Sequence, residues 1–126
     1  MRILLDTHVL LWWLGNSPAL SSRARALIAN PENTIFVSAV SLWEIWLKHS
    51  LGKLRIPNEF EERLGAECFE NLPLSSVQTK FFFLLPWHHR DPFDRMLIAQ
   101  AQESNLVLLT ADALLASYGD CVHVAR

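Results

Sequence analysis

The chain has two cysteines, four glycines and no excess of positive charge in its 126 residues, and each scarcity closes a line of chemistry. Cys68 and Cys121 stand far apart in sequence. They form neither a disulfide framework nor a C-x-x-C metal knuckle, and read as buried thiols in a reducing compartment. With only Gly15, Gly52, Gly65 and Gly119 available, neither a Walker A loop nor a G-x-G-x-x-G turn can be written. Enzymes that cradle a nucleotide in glycine-rich backbone are thereby excluded. A G-x-S-x-G elbow is also missing, which removes the commonest α/β serine-hydrolase arrangement. No apolar run approaches the roughly 20 residues of a membrane span. In the opening "MRILLDTHVLLWWLG", Asp6 and His8 interrupt the apolar stretch before a secretory core can form. The expectation is a cytoplasmic protein without membrane attachment. Eleven basic and thirteen acidic side chains give a formal charge of −2, so a polyanionic partner would have to be met by local charge.

What is present is an ordinary globule's allotment: 51% hydrophobic and 19% charged residues, which fits neither a disordered chain nor a coiled coil. At this length one domain over residues 1–126 is expected, with roughly two thirds of the unfolded surface buried. Ile3 to Leu5, Ile35 to Val37, Leu106 to Leu109 and Val122 to Val124 read as strands. Helices fit His8 to Leu14, Ser21 to Ala29, Ser41 to Leu51, Glu59 to Phe69, Ser76 to Leu84, Pro92 to Ser104 and Ala113 to Ser117, with an extended "NLPLSS" between the fourth and fifth. Strand and helix alternate, and runs such as "IFV" and "VLL" are apolar throughout, as strands covered on both faces should be. The expected fold is α/β, a mainly parallel central sheet flanked by helices.

Ligands of such sheets bind beyond the carboxyl ends of the strands, and four acids fall there. Asp6 follows the first strand, Glu44 lies in the first turn of the helix after the second, Asp94 in the first turn of the "DPFDR" helix, and Asp112 just past Leu109. Each has a local structural alternative. Asp6 and Asp112 suit helix caps, Ser41 and Glu44 fit an S-x-x-E capping box, and Glu44 with Lys48 makes an i,i+4 pair. Asp91 before Pro92 is a natural N-cap, with Asp94 favourably placed toward the helix dipole. Together the four are harder to assign to capping. Two carboxylates 4 Å apart repel by about 4 kcal/mol at an effective dielectric near 20, a large part of a domain's net stability of about 5–15 kcal/mol. Protonation or a bound cation must offset that, and an all-oxygen site suits Mg²⁺ or Mn²⁺ better than zinc. The tandem His88-His89 lacks H-E-x-x-H spacing and reads as a solvated loop that reaches at most a substrate phosphate.

With these residues in hand, the blocks "LLDTH", "VSAVSLWEI" followed by "LGKL", "HHRDPFDRMLIAQA" and "LLTAD" resemble, in order and spacing, the PIN domain in its VapC-type toxin branch. The resemblance implies a metal-dependent endoribonuclease acting on single-stranded RNA, the toxin of a bacterial toxin-antitoxin pair. It also implies a cognate antitoxin and a homodimer. Asp6, Glu44, Asp94 and Asp112 match the acids that bind one or two Mg²⁺ or Mn²⁺ ions. Asp91, Thr110 and Ser38 match polar residues close to such sites. Arg90, Arg95 and Lys48 are the basic side chains expected to meet the RNA backbone, and hydrolysis is expected to leave 3′-hydroxyl and 5′-phosphate ends. The helices "HVLLWWL" and "SLWEIWLKH" carry more apolar surface than one buried stripe requires. One or more of Trp12, Trp13, Trp43 and Trp46 is therefore expected to line an antitoxin groove. Two rival functions remain at this point, a non-catalytic PIN-like scaffold that binds RNA or protein, and a phospho-aspartyl phosphatase. The second would want an aspartate where His8 stands.

Overall fold

In the computed structural model, which describes residues 1–126, five strands form a single parallel sheet in the order β3-β2-β1-β4-β5. They are β1 (Arg2–Leu5), β2 (Thr34–Ser38), β3 (Glu70–Leu72), β4 (Val107–Thr110) and β5 (Val122–Val124). The helices are α1 (Thr7–Leu14), α2 (Ser22–Ala29), α3 (Ala39–Ser50), α4 (Phe60–Ala66), α5 (Ser76–Leu84) and α6 (Pro92–Ser104), with a 3₁₀ helix over Ala113–Tyr118.

The continuous apolar strands are explained by burial on both faces. On one face Ile3, Leu5, Ile35, Val37 and Leu109 pack with α1, α2 and Ile45 of α3. On the other, Leu4 and Leu108 pack with Leu97, Ile98 and Ala101 of α6 and with Leu115. No helix is long and apolar enough to cross a membrane. β1 is central, pairing with β2 on one side and β4 on the other, with Leu5 opposite Leu109. The chain leaves β1 in one direction along the sheet and later returns to its other side. That reversal opens a crevice at the carboxyl ends of β1 and β4, the place where ligands of such sheets bind.

Three local expectations are corrected. α3 begins at Ala39, capped by Ser38, whose hydroxyl accepts from the Val40 N–H at 2.9 Å. Glu44 is thus in the second turn. The Ser41–Glu44 capping box is not formed, because Ser41 lies inside the helix and its hydroxyl accepts from Thr7. The fourth helix stops at Ala66 and does not reach Phe69. Phe69 packs against the core and Glu70–Leu72 adds an edge strand to β2, where pairing satisfies backbone groups that β2 would otherwise leave open. Cys68 is exposed and Cys121 half-buried, both free, so the expected buried pair of thiols is not found.

Candidate functional site

Asp6 is the first residue after β1 and caps α1, its Oδ1 accepting the His8 N–H at 2.8 Å. Its Oδ2 accepts from the Thr110 hydroxyl at 2.6 Å, and the same hydroxyl accepts the Asp112 N–H at 3.0 Å. Thr110, the last residue of β4, therefore ties the two strand ends together across the crevice. Asp112 caps the 3₁₀ helix through Leu114. Asp91 caps α6, its Oδ1 accepting from Phe93 N at 2.8 Å and Asp94 N at 3.3 Å. That cap aims the first turn of α6, with Asp94 on it, at the rim.

Asp94, Asp112 and His89 each offer a ligand atom within 4.8 Å of the others, and His89 Nε2 lies 2.9 Å from Asp94 Oδ2. Asp6 and Glu44 are outside that trio but close enough to raise the Asp94 carboxyl by their charge. Burial is the largest cause, and together with Asp6, Asp91 and Glu44 it pushes Asp94 from 3.8 up to about 6 despite the bond from His89. Burial also holds Asp6 above the ordinary carboxylate range, against the lowering effect of Thr110 and His8.

Glu44 is 3% exposed. Its Oε2 accepts from Lys48, while its Oε1 is buried with no hydrogen-bond partner. An orphaned carboxylate oxygen is costly unless a hydrogen-bond donor or a cation completes it. The donor set fits that need: carboxylate oxygens dominate it, as hard divalent cations require. Lys48 is itself held above the usual lysine range, chiefly by its bond to Glu44.

The other expected residues are distributed differently. Ser38 is buried and its hydroxyl donates to Gln100, so it bonds none of the four acids. Arg90 is exposed in the loop before α6. Arg95 is not available to RNA: it is 1% exposed, donating to the carbonyls of Pro86, Phe82 and Leu85 and to Tyr118, and stacked 3.7 Å from the Trp87 ring. Its Cβ falls on the core side of α6, one position past the rim-facing Asp94.

No one groove gathers the four tryptophans. Trp12 lines a hollow with Gly15, Leu54 and Pro57, Trp13 one with Arg25 and Arg63, and Trp46 one with Phe60 and Leu64. Trp13 donates to Glu67. Trp43, 59% exposed, meets Phe93 edge-on at 4.9 Å, one helical position from Glu44. His89 is the residue sequence reasoning undervalued. Its position five residues before Asp94 was visible, but the fold of the intervening loop was not.

A search of curated proteins finds no match. Among solved structures, the chain is similar to VapBC2 from Rickettsia felis bound to a promoter DNA fragment, at 17% identity and TM-score 0.70, covering 99% of this chain and 98% of that one. It is similar to FitAcB from Neisseria gonorrhoeae at 21% identity and TM-score 0.68, covering 95% of each. VapBC-5 from Mycobacterium tuberculosis, of the VapBC family of toxin-antitoxin systems, matches at 20% identity and TM-score 0.63, covering 99% of this chain and 98% of that one. At these identities the likeness is one of fold. The PIN domain model matches residues 3–120, nearly the whole length, a span that includes all four acids: the chain belongs to the PIN-domain family.

Proposed function

We propose that the chain is a metal-dependent endoribonuclease, the VapC-type toxin of a toxin-antitoxin pair, hydrolysing phosphodiester bonds in single-stranded RNA in the cytoplasm. The observation that carries this reading is the convergence of Asp94, Asp112 and His89 at the crevice, with Asp6 and the unpartnered Glu44 Oε1 beside them. Mg²⁺ or Mn²⁺, as one ion or two, suits the donors. Such a cation, when bound, lowers the pKa of water and neutralises charge on the phosphate and the leaving oxygen. Asp6, Glu44, Asp94 and Asp112 would hold it, with the Thr110 hydroxyl fixing the rotamer of Asp6. Asp91 acts through the cap that aims α6. Arg90 and Lys48 meet the RNA backbone and supply the local positive charge that a net −2 withholds.

The antitoxin belongs to the same reading and is supported by the VapBC complexes among the similar folds. Trp43, beside the rim, is the tryptophan best placed to meet it. A homodimer would cover the apolar surface left open at the end of α5, where Phe83, Leu84 and Trp87 are exposed.

An unstructured oligoribonucleotide incubated with Mg²⁺ or Mn²⁺ should yield fragments with 3′-hydroxyl and 5′-phosphate ends, and none in chelator. Fragments ending in a cyclic phosphate, or a chelator-resistant activity, would contradict the reading, since the first marks attack by the RNA's own 2′-hydroxyl and the second a reaction that needs no metal.

A further inference from the structure

The two adjacent histidines serve different surroundings. His88 is exposed, with its ring 5.1 Å from that of Tyr118. His89 is half-buried and faces the acids, Nε2 to Asp94 Oδ2 at 2.9 Å, within the trio it forms with Asp94 and Asp112. On an octahedral cation with bonds of about 2.1 Å, neighbouring donors sit about 3 Å apart and opposite ones about 4.2 Å. The His89–Asp94 pair, at 2.9 Å, already has the spacing of neighbouring donors, and Asp112 offers a ligand atom within 4.8 Å of both.

The loop that presents His89 is fixed from behind. The Tyr118 hydroxyl accepts the His89 backbone N–H at 3.1 Å and donates to the Pro86 carbonyl at 3.0 Å. Arg95 Nη1 donates to that carbonyl at 2.9 Å and to the hydroxyl at 3.2 Å. Arg95 has no carboxylate partner, since the chain's ion pairs are Lys48–Glu44 and His89–Asp94. A buried cation with only carbonyls, one hydroxyl and aromatic faces around it is costly to maintain for packing alone. Here it pins both ends of the Pro86–His89 segment against the base of α6.

We propose that His89 Nε2 is a direct ligand, with Asp94 and Asp112, of a divalent transition cation, and that this nitrogen makes the centre prefer Mn²⁺ to Mg²⁺. The assignment rests on reading the rim as a cation site, and adds a donor, a metal preference and the device that holds the donor in place. Imidazole suits Zn²⁺, Cu²⁺, Fe²⁺ and Ni²⁺ best; Mn²⁺ shares the taste of Mg²⁺ for carboxylate and water, but as the transition metal of the two it is the one a nitrogen donor favours. Tyr118 and Arg95 are positioning residues: they touch the loop backbone and leave the ring free to meet the ion.

The test is pulsed electron paramagnetic resonance of the metal-free protein loaded with Mn²⁺ alone. Wild type should show the nitrogen coupling of a directly bound imidazole, and uniform ¹⁵N-histidine labelling should change it, which ties the signal to histidine without any substitution. In His89→Gln the coupling should vanish and Mn²⁺ affinity should fall about tenfold or more, the scale at which even outer partners of a ligand act. Mg²⁺ affinity, read by displacement, should hardly change, and His88→Gln should behave as wild type. Mn²⁺ bound without nitrogen coupling, coupling that survives in His89→Gln, or no Mn²⁺ binding would each overturn the assignment. RNA plays no part in this readout. Nitrogen coupling in a protein that cuts no RNA would sink the nuclease reading alone, and metal-dependent cleavage without coupling would sink the ligand assignment alone.

Discussion

Asp94 serves two demands that conflict. As an acid in the first turn of α6 its negative charge is favoured by the helix dipole, yet burial and the charges of Asp6, Asp91 and Glu44 push its carboxyl up to about 6. Below the unfolded value of 3.8 both states carry the proton. Between there and about 6 the native state keeps a proton that the unfolded chain releases, so the native state loses stability as pH rises through that window. In chelator, Asp94→Asn should therefore be more stable than wild type at pH 7, by about 1–2 kcal/mol after allowance for solvent screening, and the gain should disappear near pH 4. Melting of the variant well below wild type at pH 7 would mean that the dipole contribution outweighs the crowding. Arg95 makes the opposite kind of claim. Because it is sealed against three carbonyls, Arg95→Met should lower stability by about 3 kcal/mol or more in denaturant unfolding. Arg95→Lys should recover little, since one ammonium cannot reproduce the guanidinium fork. Unchanged stability with weakened RNA binding would return Arg95 to the role its sequence position first suggested.

At the scale of the element, the site depends on where three helices start. α1 starts at the end of β1 with Asp6 as its cap, α3 at the end of β2 with Ser38, and α6 behind Asp91-Pro92. Asp91→Ala should cost about 1 kcal/mol in chelator, and Asp91→Ser should restore most of it, because a serine also accepts the first-turn N–H groups. A loss of metal affinity in Asp91→Ser equal to that of Asp91→Ala would instead make Asp91 a ligand. Asp91-Pro92 was legible as a helix start because both residues favour that position independently of context. β1, β2 and β4 were legible because strands covered on both faces cannot carry polar residues in alternation. The start of α3 was misread by two residues: Ser38 and Ser41 are both acceptable caps, and the choice is made by Gln100 and Thr7, which are distant in sequence. β3 was legible only in part: "NLPLSS" reads as extended and covers Asn71 and Leu72, but "ENL" has no β-branched residue, and its place in the sheet depends on the open edge that β2 offers. His89 was hidden for the same reason. Its position is set by Tyr118 and Arg95, from two other elements, and no local pattern announces that.

For the whole molecule, strand order does what no motif could. β1 at the centre of the sheet brings Asp6 next to Thr110 across 104 positions of sequence, and with it Asp112. Asp94 and Asp112 lie within ligand distance of each other, and Asp6 and Glu44 are near enough to raise the Asp94 carboxyl by their charge, in a chain whose net charge is only −2. The repulsion is a local property of the fold and would be relieved by a local cation. The measurement closest to this claim is the initial rate of cleavage of a labelled unstructured RNA as Mn²⁺ is titrated into metal-free wild type, Asp6→Asn and Asp94→Asn, each first checked for a native melting transition. Wild type should rise from no detectable cleavage to a saturating rate and return to none on adding chelator. Both variants should stay at least about 100-fold slower at every Mn²⁺ concentration, the loss expected when a group that positions a charge-stabilising centre is removed. Cleavage by folded Asp6→Asn and Asp94→Asn at the wild-type rate would contradict the account.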